Sequence, residues 1–237
     1  MPRILVTREV DAFSARYARQ LGIDLVVDPV IKIEFLPHTP EMIEEIVNSR
    51  YDAIAFTSQN AVKAFSEIIW EEKIRVPKVK FFAIGDSTAR HLNLLEVKPL
   101  VPKINDAVAL AELILSHPEV KTLLFPCAEH HLEDLPEWLK RHQVAVKELI
   151  LYSTIQLLRK IPLAGIEGIV FMSPSAVKSF FQANRTDTLP CFCIGRTTAE
   201  EVMRWTSAPI MIARQPDMES IFDKVAEYWS TTSQQLV

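Results

Sequence analysis

Short apolar runs alternate along the chain with longer stretches whose apolar positions follow a helical period. The short runs are typical of buried strands, and the longer stretches of amphipathic helices. This alternation favours an α/β fold in which helices connect parallel strands. The pattern predicts ten strands, five in each of two sheets: ILVTR (4–8), LVVDPV (25–30), AIAFTS (53–58), FFAIG (81–85), VKPLVP (97–102), TLLFPC (122–127), VKELILY (146–152), GIVFMS (168–173), CFCIG (191–195) and PIMIA (209–213). The clearest helices between them cover 39–50, 58–73, 106–117 and 217–229.

Two segments occur twice in the same order. IAFTSQNAVKAF (54–65) matches IVFMSPSAVKSF (169–180) at 7 of 12 positions, and FFAIGDSTAR (81–90) matches CFCIGRTTAE (191–200) at 5 of 10. Two ordered matches indicate a duplicated unit rather than a short-period solenoid. Two similar domains are therefore expected, and the space between them is the first place to look for a site.

The copies do not simply follow one another. ILVTR and LVVDPV precede the first repeated segment, whereas their counterparts TLLFPC and VKELILY follow FFAIG and VKPLVP. This order predicts one domain at 39–151 and a discontinuous one built from 1–34 and 156–237. The predicted linkers are 35–38 and 152–155.

The predicted fold is a segment-swapped duplication. Each flavodoxin-like domain has three layers, α/β/α, around a five-stranded parallel sheet, and the linkers pair as a two-stranded β ladder. A single ten-stranded sheet is less favoured, because the duplication gives each half its own set of strands.

Composition narrows the class of protein. The 237 residues carry a net charge of −4, with no concentrated basic region, which argues against general binding of nucleic acid. The sequence enters a strand directly at MPRILVTREV, without a signal-peptide core or a membrane span, and its three cysteines form no CxxC pair. We therefore expect a cytoplasmic protein without disulfides.

The sequence contains no standard motif for a metal or a nucleotide. Cys127, His130 and His131 are close in sequence, but no second cluster of ligands accompanies them. GxGxxG, GxxxxGK[ST] and nucleophile-elbow motifs are absent from the sequence. We expect neither a metal nor a cofactor.

Hydroxyl groups collect at the predicted carboxyl ends of the strands, where ligands bind in doubly wound sheets. They belong to Thr57, Ser58, Ser87, Thr88, Ser173, Ser175, Thr197 and Thr198. Each could simply cap a helix, but together with the free N–H groups of the first helical turns they also suit an anion. Gly85 and Gly195 occupy matching positions, and a tight turn would explain both.

Two further side chains are candidates for the site. Arg8 ends the first strand, where its guanidinium could hold a carboxylate at two points or form a surface salt bridge. Tyr152 ends VKELILY at the second linker, where its phenol could donate a proton to a departing group or simply pack at a domain edge.

The order and spacing of several motifs resemble the uroporphyrinogen-III synthase family over nearly the whole chain. The motifs are ILVTR, FTSQNAV, AIGDSTA, LLFPCA, ELILYST, FMSPSAV, CIGRTTA and APIMIARQP. The resemblance implies two swapped α/β domains joined by a two-stranded ladder, with the site in the cleft between them. It also implies cofactor-free dehydration and cyclisation of hydroxymethylbilane, with inversion of ring D, to give uroporphyrinogen III for haem and related pigments.

The resemblance also implies roles for particular residues. It makes Tyr152 the catalytic side chain, Thr88 and Thr198 the threonines of the two IGxxTA turns, and Ser58 and Ser173 positions whose backbone amides contact acetate and propionate groups. Arg196 is a departure, because many relatives have proline or a small residue there. The implied protein is a monomer that binds a linear tetrapyrrole and receives it from hydroxymethylbilane synthase, with no nucleic acid or membrane as partner.

Two rival interpretations are compatible with the pattern. Two similar α/β lobes also describe small-molecule sensors and carriers without catalysis. A flavodoxin-like or nucleotide-dependent enzyme is disfavoured by the missing phosphate loops.

Overall fold

The fold is described from a computed structural model, which covers residues 1–47, 50–130 and 134–234. The chain forms two compact units. Unit 1 consists of Met1–Lys32 and Ile155–Val237, and unit 2 of Ile33–Thr154. Each unit is therefore described by itself.

Each unit contains one five-stranded sheet. The strands are β1 (Arg3–Val6), β2 (Asp24–Val27), β3 (Ile31–Phe35), β4 (Ala53–Phe56), β5 (Lys80–Ala83), β6 (Thr122–Ala128), β7 (Ala145–Gln156), β8 (Gly168–Phe171), β9 (Cys191–Cys193) and β10 (Ile210–Ile212). The order is β10-β9-β8-β1-β2 in the first sheet and β3-β7-β6-β4-β5 in the second. The predicted α/β class with two five-stranded sheets is confirmed.

The first sheet is parallel throughout, as predicted. The second is mixed, because its edge strand β3 runs antiparallel to β7. Two backbone hydrogen bonds define this direction, from Leu36 N–H to the Leu151 carbonyl and from Leu157 N–H to the Val30 carbonyl, both at 2.9 Å. The other strands of this sheet pair in parallel.

The prediction of a strand at 97–102 was wrong. Only Leu100 pairs with β5, through bonds of its N–H to Phe81 and of its carbonyl to Ala83 at 2.8 and 3.0 Å. Pro99 and Pro102 flank it and lack the N–H donors that a continued ladder requires. The fifth strand of the second sheet is β3 instead.

Nine α-helices lie in the described ranges, together with a short 3₁₀-helix at Asn93–Leu95. They are α1 (Ala12–Gln20), α2 (Pro40–Val47), α3 (Gln59–Glu71), α4 (Asp86–Leu92), α5 (Ala107–Leu115), α6 (Asp134–Arg141), α7 (Pro174–Ala183), α8 (Arg196–Met203) and α9 (Met218–Gln234). None of the helices in these ranges combines the length and apolar character that crossing a membrane requires.

Helices cover both faces of each sheet, because successive strand residues point to opposite sides. In unit 1, Leu5 packs in a cluster with α7 and α8, whereas its neighbours Ile4 and Val6 pack in a cluster with α1 and α9. In unit 2, Phe56 packs with α3, and the adjacent Ala55 packs with α5 and α6. Each unit is thus a three-layer sandwich with two cores.

The corresponding helices α3 and α7 contain buried serines in opposite situations, which gives a stability test. Ser66 Oγ has no hydrogen-bond partner among the described residues. Ser179 Oγ donates to the Val30 carbonyl at 2.5 Å. We expect Ser66→Ala to raise the free energy of unfolding by about 0.5–1 kcal/mol, and Ser179→Ala to lower it by about 1 kcal/mol.

Denaturant titrations of both variants, followed by far-UV circular dichroism, measure these changes. Effects of the same sign in the two variants would contradict the assignment.

Candidate active site

A buried phenol lies at the carboxyl end of the sheet in unit 2. The Tyr152 hydroxyl donates a hydrogen bond to Ser58 Oγ at 3.0 Å, although β6 separates β7 from β4 in the sheet. Ser58 is the N-cap of α3, and its Oγ also accepts from Asn60 N–H at 3.1 Å. The structure therefore brings together two residues that are 94 positions apart in the chain and were both predicted for the site.

A register shift in β7 gives Tyr152 this orientation. Cys127 on β6 pairs with Ile150, but the next residue, Ala128, pairs with Tyr152, so that Leu151 is the extra residue. Leu151 and Tyr152 consequently pack in the same core cluster, on the side of α3. In a regular strand these two side chains would point to opposite faces.

The environment keeps Tyr152 protonated. Tyr152 is only 6% exposed, and this burial raises the pKa of its phenol. The hydrogen bond with Ser58 lowers the pKa, and the nearby Cys127 raises it further. Because an unperturbed tyrosine has a pKa of about 10, the group is a neutral donor at physiological pH. Stability linked to this shift is present below about pH 10 and is lost as the pH rises toward the higher pKa of the folded state.

Gln59 extends the polar arrangement to the next turn. Its Nε2 donates a hydrogen bond to Ser87 Oγ, and the Ser87 carbonyl lies 2.9 Å from His91 Nδ1. Sequence reasoning missed Gln59, although it stands inside the FTSQNAV motif, where the matching position of the second copy is Pro174. The sequence did carry a signal for Gln59, because the second copy has proline in place of this polar residue.

The hydroxyl groups expected to cap helices divide into two kinds. Ser58 and Ser173 are N-caps, and Ser173 Oγ accepts from Ala176 N–H at 3.2 Å. The N-caps of α4 and α8 are instead Gly85 and Gly195. Within the first turns of these helices lie Ser87, Thr88, Thr197 and Thr198. A capping role is therefore wrong for these four residues.

Exposure also separates the threonines of the predicted site. Thr88 and Thr198 are 5% and 1% exposed, and neither hydroxyl has a hydrogen-bond partner in the described part of the chain. Thr197 is exposed and Thr57 is half-buried at the end of β4. Thr57 lies beside Ser58 in chain order, but it does not join the hydrogen bond with Tyr152.

The remaining predicted residues lie at the carboxyl ends of unit 1. Ser173 and Ser175 share a hydrogen bond between their hydroxyl oxygens at 3.0 Å. Arg8 follows β1 and is exposed. No ion pair or hydrogen bond joins its side chain to another described residue, so the alternative of a surface salt bridge is not supported.

The guanidinium of Arg8 is charged at neutral pH. Desolvation by neighbouring atoms lowers its pKa, and the charge of Asp11 opposes this effect. The exposed surface of the side chain argues that the desolvation is partial. An arginine starts from a pKa above 12, which leaves the positive charge intact and available to an anion.

The two matching glycines adopt extended rather than tight-turn conformations, with φ of −171° at Gly85 and −169° at Gly195. The expected tight turn is therefore wrong as their explanation. Gly85 has no room for a side chain, because the Asn105 side chain lies where its Cβ would be. A Cβ placed on Gly195 would have no atom within 4 Å.

The structure offers little to a metal or a thiol reaction. No cluster of three potential metal ligands occurs among residues 1–47, 50–130 and 134–234, and His131 lies outside these ranges. Cys127, Cys191 and Cys193 are buried thiols that form no disulfide among the described residues. Burial raises the pKa of Cys191 and Cys193 to about 12, which keeps both as unreactive thiols.

The fold and the site define an α/β enzyme of two three-layer units with polar side chains at the carboxyl ends of their strands. The sequence matches the family described as uroporphyrinogen-III synthase HemD over residues 12–223. The chain therefore belongs to the uroporphyrinogen-III synthase family, whose members are lyase-type cyclising enzymes of tetrapyrrole biosynthesis. A comparison with curated proteins finds no significant match.

Solved structures agree in fold. A mutant uroporphyrinogen III synthase from the extremely thermophilic bacterium Thermus thermophilus has a TM-score of 0.72 at 15% identity, covering 98% of this chain and 100% of that one. The uroporphyrinogen-III synthetase of Helicobacter pylori has a TM-score of 0.65 at 19% identity, covering 96% and 100%. At such identities the likeness concerns the fold alone.

The hydrogen bond between Tyr152 and Ser58 predicts a specific loss of turnover. We expect Tyr152→Phe to lower kcat about tenfold, the value of one hydrogen bond of about 1.4 kcal/mol, because the ring is retained and the donor is lost. Steady-state kinetics with hydroxymethylbilane, together with a thermal melt, measure this change.

Tyr51→Phe is the matched control, since Tyr51 also donates a hydrogen bond in unit 2, to Glu45, but does not lie at the predicted site. Unchanged kcat in the Tyr152 variant would remove this phenol from the mechanism.

Proposed function

We propose that this chain converts hydroxymethylbilane into uroporphyrinogen III without a cofactor, by dehydration and cyclisation with inversion of ring D. Membership of the family supports the reaction. The observation that carries the assignment of a site is the hydrogen bond from the buried Tyr152 to Ser58 at the carboxyl ends of the strands in unit 2.

The proposed chemistry begins at this pair. Because the Tyr152 proton occupies one lone pair of Ser58 Oγ, the serine keeps its own O–H for a ligand. Proton transfer from Ser58 to the departing hydroxyl, with the Tyr152 proton passing to Ser58, would let the C–O bond break and water leave. The electron-rich pyrrole then stabilises the cation, so no stronger acid or metal is required. The proton lost from the pyrrole carbon on ring closure would then restore the phenol.

Orientation is the larger part of the proposed catalysis. The released cation can close the ring directly or with inversion of the last pyrrole, and only the second closure gives the type III isomer. An enclosed substrate whose carboxylates are fixed has fewer conformations available for direct closure.

The substrate carries eight carboxylates, and the proposed contacts are short polar groups rather than a basic surface. We assign substrate binding to residues at the strand ends: Arg8, Thr57, Ser58, Ser87, Thr88, Ser173, Ser175, Thr197 and Thr198. Backbone N–H groups at the starts of α3 and α7 supply further donors to anionic groups.

We also propose that the fold arose by a segment-swapped duplication of a flavodoxin-like domain. Counted along unit 1, the sheet order is 2-1-3-4-5, the flavodoxin-like order. The strands β9-β8-β1-β2 and β5-β4-β6-β7 follow the same order when the repeated segments are matched. In this proposal residues 35–38 and 152–155 act as the interdomain linkers.

The family resemblance further supports a monomeric, cytoplasmic enzyme that takes its unstable substrate from hydroxymethylbilane synthase. A direct hand-over would limit spontaneous closure to the type I isomer. The oligomeric state, the location and the hand-over do not alter the proposed reaction.

Incubation with freshly prepared hydroxymethylbilane tests the function. After oxidation, chromatography separates the type I and type III porphyrins. We expect type III to exceed the spontaneous type I product in proportion to the enzyme added. Binding without type III product would contradict catalysis and favour a non-catalytic binding protein.

Arg8 is expected to contribute to product affinity through its charge. Arg8→Ala should raise the Kd of uroporphyrinogen III about tenfold, because a charge-assisted hydrogen bond contributes about 1.5 kcal/mol. Anaerobic calorimetry measures the Kd.

Arg19→Ala is the control, because Arg19 lies in the last turn of α1, at the end of the helix remote from Arg8. Equal Kd values for wild type and the Arg8 variant would contradict this contact.

A further inference from the structure

One polar side chain at the carboxyl ends of the strands in unit 2, that of Asn105, packs against a glycine and has no hydrogen-bond partner among the described residues. A methyl group built on Gly85 would lie 2.8 Å from Asn105 Cγ, 2.9 Å from Nδ2 and 3.0 Å from Oδ1. The nearly equal distances mean that the carboxamide of Asn105 lies flat over this glycine. Its polar atoms are left for another partner, because no described residue forms a hydrogen bond with them.

The backbone around Asn105 is fixed from both sides. Asp106 N–H donates to the Ile104 carbonyl at 2.9 Å, which closes a three-residue turn around Asn105. Asp106 also caps α5, since its Oδ1 accepts from Ala109 N–H at 2.7 Å. Asn105 itself is exposed, and its carboxamide packs against Gly85.

Charge decides which end of the amide a ligand would meet. Asp86 directly follows Gly85 in the sequence, Asp106 directly follows Asn105, and Lys103 stands two positions before Asn105. Two acidic residues against one basic residue give these segments a net negative charge, which favours a ligand with an N–H donor over an anion. In the copy of this turn in unit 1, arginine (Arg196) stands in place of Asp86, and Gly195 carries no side chain above it.

An exposed apolar residue directly precedes Asn105 in the sequence. Ile104 is 65% exposed although it is one of the large hydrophobic residues. An exposed isoleucine beside an unpaired amide suits a flat heteroaromatic ring, which presents an apolar face and a polar edge. A carboxylate side chain of the substrate would use neither the isoleucine nor the acidic surroundings.

We propose that Asn105 Oδ1 accepts a hydrogen bond from a pyrrole N–H of the substrate, with Ile104 against the face of that ring. This inference rests on the proposed function and deepens it. Ser87 and Thr88, in the turn that follows Gly85, remain proposed contacts of the same substrate.

Substitution of Asn105 by alanine and by aspartate distinguishes an amide that accepts from a pyrrole N–H from one that donates to a carboxylate. Aspartate keeps an acceptor for a pyrrole N–H but repels a carboxylate. We expect Asn105→Ala to raise the KM for hydroxymethylbilane about tenfold with kcat within twofold, and Asn105→Asp to have a KM below that of the alanine variant. A rise of less than threefold for alanine, or a KM for aspartate at or above that of alanine, would overturn the inference.

Gly85→Ala tests whether the position of the amide matters. The added methyl displaces the carboxamide, so we expect a higher KM in the wild-type background and no further rise in the Asn105→Ala background. Equal rises in both backgrounds would overturn the inference, because the methyl would then act independently of Asn105.

Asn93→Ala and Asn93→Asp are the matched controls. Asn93 is exposed and is the C-cap of α4, at the end of this helix opposite Gly85. Both variants should keep the KM within twofold, and an equal effect of aspartate at Asn93 and Asn105 would overturn the inference as a general charge effect. Wild-type protein that forms no type III product would refute the proposed function itself, whereas type III product with an unresponsive Asn105 series refutes only the pyrrole contact.

Discussion

Parallel strand pairing is the constraint on which the site depends. Since parallel strands place their carboxyl ends at one edge of a sheet, every strand-to-helix turn of a unit meets its neighbours there. In unit 2, β7, β6, β4 and β5 are consecutive in the sheet, so turns from distant parts of the sequence become adjacent. Side-chain hydrogen bonds connect these turns and strand ends. One joins Tyr152 to Ser58, and the other joins Gln59 to Ser87. The polar arrangement follows from the topology, and small local features then refine it.

The most important refinement is the register shift at Leu151. It turns Tyr152 toward α3. There burial raises the pKa of the phenol, and Ser58 Oγ accepts a hydrogen bond from its hydroxyl. At the same sheet edge the amide of Asn105 packs against Gly85 and has no hydrogen-bond partner among the described residues. The candidate site of unit 2 therefore contains a neutral proton donor and a neutral hydrogen-bond acceptor. The exposed arginines Arg8 and Arg196 belong to unit 1.

Much of the fold followed from the sequence, because apolar runs and the repeated segments report buried strands directly. Nine of the ten predicted strands occur, and the start of α2 at Pro40 and the N-cap Asp106 agree with the capping rules. The exception, 97–102, contains two prolines whose effect on pairing outweighed its hydrophobicity. The family was also recognisable from motif order. The predicted side chains lie at strand ends or in the first turns of the following helices. The orientation of Tyr152 depends on a shift of one residue, which no periodicity reveals. Asn105 was missed because its significance lies in contact with Gly85, 20 positions earlier in the chain.

The position of bound product relative to Tyr152 tests the central claim most directly. A crystal structure of the protein with uroporphyrinogen III, grown without oxygen, would provide it. The account predicts a pyrrole ring of the product at the carboxyl ends of the strands in unit 2, with the Tyr152–Ser58 pair within about 3–4 Å of the macrocycle. Product bound at the amino ends of the strands, or away from both hydroxyl groups, would contradict it.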